Sequence, residues 1–89
     1  MKFSLGNVVA TPGAIELLEQ NNLPASSFLS RHISGDWGDL DAEDKQANDE
    51  AIQYGNRILS SYALKNGEKL WIITEADRSS TCLLLPREY

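Results

Sequence analysis

Up to about residue 56 the apolar positions recur at helical intervals, and from residue 57 onward they fall into short strand-like runs separated by turn residues. Thr11 stands as N-cap of a first helix with Pro12 at its first position, where proline lacks only an N–H that would be unpaired anyway. Ala14, Ile15 and Leu18 form its apolar stripe, and Asn21–Asn22 offers a stop. Pro24 opens a second helix on which Phe28, Leu29, His32 and Ile33 share a face, ended by Ser34–Gly35. A third begins at Asp41, whose carboxylate can accept the amide of Asp44, with Ala47, Ala51, Ile52 and Gly55 as a narrow inward face. Ahead of these, "NVVA" at 7–10 reads either as an edge strand or as an extended lead-in.

In "RILSSYALKNGEKLWIIT" two strand-like runs flank Asn66–Gly67, a pair suited to a two-residue type I′ turn that sets Lys65 opposite Glu68. A second reversal at "EADRSS" leads into "TCLLLP", which Pro86 ends. Both alternate positions of "LWIIT" are apolar, so residues 69–75 are expected in the middle of the sheet, covered on both sides or nearly so. The expected fold is α+β: three N-terminal helices packed on a C-terminal three-stranded antiparallel sheet, with or without a short N-terminal strand.

Eighty-nine residues make one domain with one core. The single cysteine, Cys82, excludes an internal disulfide, and its apolar neighbours make it a small core hydrophobe. The first residues hold no long apolar run, so neither signal peptide nor membrane span is expected, and a cytoplasmic location follows by default. A net charge of −5 argues against direct nucleic-acid binding, which rests on Lys and Arg neutralising phosphates.

Carboxylates at 36, 39, 41, 43 and 44 raise the question of calcium, yet the EF-hand spacing is absent, since the residues at 38 and 40 are Gly and Leu. Zinc lacks ligands with one His and one Cys, and no cofactor is expected. An enzyme could use His32 oriented by Asp36 or Asp39, with Ser34 as nucleophile; against this, His32 lies on an apolar helix face. A hydrolase or nuclease could instead use Glu75, Asp77 and Arg78, with Thr81, around the final turn, although turn chemistry alone accounts for Asp77 and Ser79.

Residues 36–50 hold seven of the thirteen acids and one base, Lys45. Asp41, Glu43 and Asp44 suit a helix start, whereas Asp36, Asp39, Asp49 and Glu50 exceed what capping needs. Trp37 is either tucked beneath the helices or exposed as an interface anchor. The candidate binding set is therefore Asp36, Trp37, Asp39, Asp41, Glu43, Asp44, Asp49 and Glu50, facing a basic groove on a protein partner.

The stretches "VVATPGAIELLE", "FLSRHISGDWGDLDAEDKQANDEAI", "RILSSY" and "LWIITEADRSSTCLLLPREY" resemble a small family of bacterial and mobile-element proteins labelled plasmid-related, to which no activity attaches. A mobile-element context implies an inhibitor of host restriction or CRISPR machinery. The expectation is a non-enzymatic acidic binding module of the anti-CRISPR or anti-restriction type that mimics nucleic acid in the partner's basic groove. It would be a monomer or a weak homodimer, with the small hydrolase or nuclease as the alternative.

Overall fold

The computed structural model describes residues 2–89. The chain runs β1 (Asn7–Ala10), α1 (Pro12–Gln20), α2 (Ala25–Ile33), α3 (Ala42–Tyr54), β2 (Ile58–Ala63), β3 (Lys69–Thr74), β4 (Ser80–Leu84) and a closing 3-10 turn, Pro86–Glu88. The class is α+β with three helices, but the sheet has four strands in the order β1-β4-β3-β2, and it is mixed. The expected antiparallel meander is correct for β2, β3 and β4, with β3 inside it. The lead-in at 7–10 is a true strand, and it adds in parallel to β4, with Val8 beside Thr81 and Ala10 beside Leu83. Parallel pairing needs a long crossover, supplied here by the helices and the β2–β3 hairpin.

The helix ends follow the sequence. Thr11 accepts the amide of Ala14 and Asp41 that of Asp44, each satisfying one of the free donors of a first turn. Pro24 sits one place earlier than expected, as the N-cap of α2. On α1 the buried residues are Ala14, Leu17 and Leu18, while Ile15 is exposed. On α3 Asn48 and Ala51 face inward, Ala47 points to solvent, and Gly55 is the left-handed C-cap rather than part of the buried stripe.

The first hairpin corrects the turn. Asn66 does not take positive φ, and only Gly67 does. Gly67 N–H donates to Leu64 O at 3.0 Å and Leu64 N–H to Glu68 O at 2.8 Å, so three residues connect the strands through a type I turn with a glycine bulge. Leu64, not Lys65, therefore faces Glu68, and the expected Lys65–Glu68 pair is not formed.

Alternation then sorts the side chains. Ile58, Ser60, Tyr62 and Leu64 of the β2 segment, Leu70, Ile72 and Thr74 of β3, and Thr81, Leu83 and Leu85 of the β4 segment all turn toward the helices and are buried. The main core joins Ala14, Leu17, Leu18 and Phe28 to Tyr62, Leu64, Leu70, Ile72, Leu83 and Leu85. A second cluster, Trp37, Ala51 and Ile58 with Phe3, Leu40 and Ile52 beside it, closes the α3 end. Among the described residues no helix residue belongs to a cluster with the opposite parity, so the helices lie on one face as expected; Ile73 and Leu84 on the other face are nevertheless only 6% exposed each, and β3 is covered on both sides or nearly so. Among the described residues no helix is long and apolar enough to cross a membrane.

Candidate functional site

The acid-rich segment leaves α2, runs along the outer edge of β2 and enters α3, and its geometry is set by hydrogen bonds that the sequence does not announce. Ser61 N–H donates to Trp37 O at 3.1 Å, and Asp39 N–H donates to Ser61 O at 2.6 Å. Gly38 sits between them with φ +77°, and a Cβ at that position would lie 2.0 Å from Ser61 O. Only glycine fits so close a backbone approach. Two side chains complete the edge. Asn48 accepts from Leu59 N–H at 3.1 Å and donates to Leu59 O at 2.6 Å, while Asp39 accepts from Ala63 N–H at 2.6 Å.

Each member of the candidate binding set can now be placed. Trp37 is 3% exposed, with its indole N–H donated to Asp49 at 3.0 Å and its ring packed against both Phe3 and His32. It anchors the loop to the core, and the reading of Trp37 as an interface anchor is corrected: no partner can reach it. Asp36 forms an ion pair with Arg31 at 2.7 Å and accepts from Gly38 N–H, and the guanidinium bond holds its carboxyl below the usual range. The same guanidinium lies 4.5 Å from the centre of the Tyr62 ring, whose hydroxyl donates to Asp36 O at 2.7 Å. Asp41 caps α3, and Glu50 accepts from Gln46 at 3.3 Å. Glu43 and Asp44 occupy the first turn of α3, where the helix dipole favours a negative charge. All seven carboxylates stay on the exposed surface of this flank, and Asp36 alone has a cationic partner among the described residues.

The residues of the hydrolase reading are not brought together. His32 is fully buried and both ring nitrogens are engaged, Nδ1 with Ser60 at 2.5 Å and Nε2 with Thr74 at 2.9 Å. Thr74 meets Thr81 at 2.7 Å, and Thr81 donates to Leu5 O at 2.7 Å. For the neutral ring, which burial favours, these contacts admit one self-consistent proton order. Thr81 donates to the carbonyl, Thr74 to Thr81, the imidazole Nε2–H to Thr74, and Ser60 to the bare Nδ1. Burial pushes the ring's pKa down to about 4, which keeps it neutral near pH 7. Ser34, the proposed nucleophile, donates to Arg31 O at the surface and does not touch the ring.

Arg78 is equally committed. In the left-handed conformation, φ +61°, it donates to the carbonyls of Asn56, Glu75, Ala76 and Ala51, the last at 2.9 Å, and so clamps the C-terminus of α3. Asp77 accepts from Ser79 N–H as a turn residue, and Thr81 is buried. Among the described residues no three His, Cys, Asp or Glu side chains gather as a metal site would require. A shallow hollow of about 170 Å³ between α1 and the C-terminal turn, lined by Gly13, Glu16, Leu17, Gln20, Glu68, Leu85 and Arg87, lies away from these groups and is smaller than typical ligand clefts.

Sequence reasoning missed Asn48, Ser60, Thr74 and the full role of Gly38. A signal existed for some of them: Asn48 is a polar residue one turn before Ala51 on the inward stripe, and Ser60, Thr74 and Thr81 are hydroxyls at core-facing strand positions. Nothing local could pair them. No family model, curated protein or solved structure matches the chain.

Proposed function

We propose that this protein works by contact rather than by chemistry, as an acidic binding module whose α3 flank docks in a basic groove of a protein partner. The observation that carries the reading is the survival of the charge. After folding, seven carboxylates remain exposed between Asp36 and Glu50, facing Lys45 as the sole base of the segment, with Arg31 the one cation paired to them. A groove that normally holds phosphates attracts such a flank, and the attraction is screened by salt. The four carboxylates with structural duties, Asp36, Asp39, Asp41 and Asp49, fix the backbone of the flank, and Glu43, Asp44 and Glu50 present charge on it. Inhibition of a restriction or CRISPR complex is the specific form of this proposal suggested by the plasmid-related resemblance.

The test uses the triple variant Glu43→Lys, Asp44→Lys, Glu50→Lys, chosen because those side chains hold no part of the sheet edge. Wild-type protein should capture a host protein at low salt and release it on addition of a single-stranded or duplex oligonucleotide. The triple variant, folded as judged by circular dichroism, should capture none. Equal capture by the variant would end the proposal.

A further inference from the structure

The side of the sheet away from the helices carries a row of apolar residues in exact cross-strand register: Val9 beside Cys82, Cys82 beside Ile73, and Ile73 beside Leu59. At a strand spacing of about 4.8 Å this row crosses all four strands, roughly 14 Å. A second row sets Leu84 beside Trp71 and Trp71 beside Ser61. Val9 is 52% exposed and Leu59, Trp71 and Cys82 are partly exposed, whereas Ile73, Leu84 and Ser61 between them are buried, so the accessible apolar surface is that of Val9, Leu59, Trp71 and Cys82. Tyr89, 66% exposed, lies edge-on to Trp71 at 5.8 Å, with the Arg57 guanidinium 5.4 Å from its ring centre.

Charge on this side is opposite to that of the α3 flank. By strand parity Arg57 and Lys69 project here, with Lys65 in the adjoining hairpin turn, against the carboxylates of Glu75 and Glu88, both near enough to act on the Cys82 thiol. A molecule of net charge −5 thus concentrates three of its eight cations around an apolar sheet face.

We infer that this face is a second docking surface, for a protein segment that carries both acidic and large apolar side chains. The aliphatic rows call for apolar contact, and the rim of Arg57, Lys65 and Lys69 selects carboxylates to flank it. A single-stranded nucleic acid fits less well: stacking needs open aromatic faces, whereas Trp71 and Tyr89 already pack on each other, and the whole molecule repels a polyanion. Face-to-face pairing of two copies would bring like-charged rims together. The inference is independent of the α3 flank, which lies along the β2 edge and takes basic partners.

The experiment is selection from a phage-displayed library of random 16-residue peptides on the full chain, followed by affinity measurement of the synthetic winners. The expected winners combine Asp or Glu with Leu, Ile, Phe or Trp, and shift amide resonances of Val9, Trp71, Ile73 and Cys82. Arg57→Glu with Lys69→Glu, both at exposed positions, should weaken them at least tenfold, and Val9→Lys severalfold. The triple lysine variant of the α3 flank should leave them unchanged, which separates this proposal from the preceding one. Four results would overturn it: no enrichment, enrichment of basic peptides, binding indifferent to the Arg57 and Lys69 reversals, or a thymidine 16-mer binding more tightly than any peptide. A concentration-dependent mass abolished by Val9→Lys would also overturn it, by assigning the face to a second copy.

Discussion

Along β2 each outward amide from Leu59 to Ala63 finds an acceptor in Asn48, Trp37 or Asp39, whereas on β1 the backbone of Val8 and Ala10 turns away from β4 with no strand beyond it. Both are terminal strands of one sheet, and unpaired strand edges invite pairing with other chains. On β2 the protein covers the edge with part of the acid-rich segment. β1 is short, only four residues, all exposed, and it carries no charge. The contrast shows that carboxylates read from the sequence as surplus charge have architectural duties first, and that their use toward a partner rests on a backbone they themselves hold in place.

The largest test of this contrast removes the plug that holds the edge-covering loop. Trp37→Ala should cost about 3–5 kcal/mol, the usual range for deleting a buried Trp, measured by urea denaturation. A cost below about 1 kcal/mol would show that the loop stays on β2 without its indole.

Next in size is a pH effect from the hydroxyl chain that crosses the sheet between the edges, from Ser60 on β2 through His32, Thr74 and Thr81 to Leu5 ahead of β1. The folded pKa of His32 is depressed to about 4 from an ordinary 6.5. Above pH 6.5 neither state is protonated and the stability is complete; as pH falls below 6.5 the unfolded chain binds a proton that the folded chain refuses until about 4. Stability should therefore drop across pH 6.5 to 4 by about 3 kcal/mol, at 1.36 kcal/mol per unit. Carboxylates lowered by their partners, such as Asp36 and Glu88, add losses only below their ordinary pKa values near 4. His32→Gln should flatten the upper part of the profile, and a wild-type stability constant between pH 7 and 4.5 would refute the depressed pKa.

Asn48→Leu keeps the volume but strips Leu59 of both partners, at a cost of about 2 kcal/mol for the unpaired backbone groups. It should also convert the sealed edge into an open one, seen as new concentration-dependent light scattering. Smallest is the effect on the open edge: Val8→Lys, at a position 45% exposed, should change stability by less than about 0.5 kcal/mol while lowering any residual association. If Val8→Lys proved as damaging as Asn48→Leu, the two edges would not differ in the way described.

Much of the local structure was legible. The Thr11 and Asp41 caps, the reversal at Asn66–Gly67, the central place of "LWIIT" in the meander and the burial face of Phe28 and His32 all follow from neighbours a few residues away, because caps, turns and apolar runs are short-range signals. The hairpin register was not legible, since a two-residue and a three-residue loop both suit Asn-Gly and differ by one bulge. Of the candidate site, the concentration of charge was visible, but the distinction between Asp39 or Asp49, which hold backbone and indole, and Glu43 or Asp44, which face only solvent, depends on strands that come later in the chain.

By itself, then, the sequence determined three helices, the three C-terminal strands and one acid-rich stretch, each a consequence of spacing along the chain. Only the tertiary structure decided that β1 joins β4 in parallel, that Asn48 and Asp39 close the β2 edge, and that His32 is sealed in a row of hydroxyls. These are pairings between residues up to 76 positions apart, as with Thr81 and Leu5. Periodicity tells a residue which way to face; packing alone tells it whom it meets.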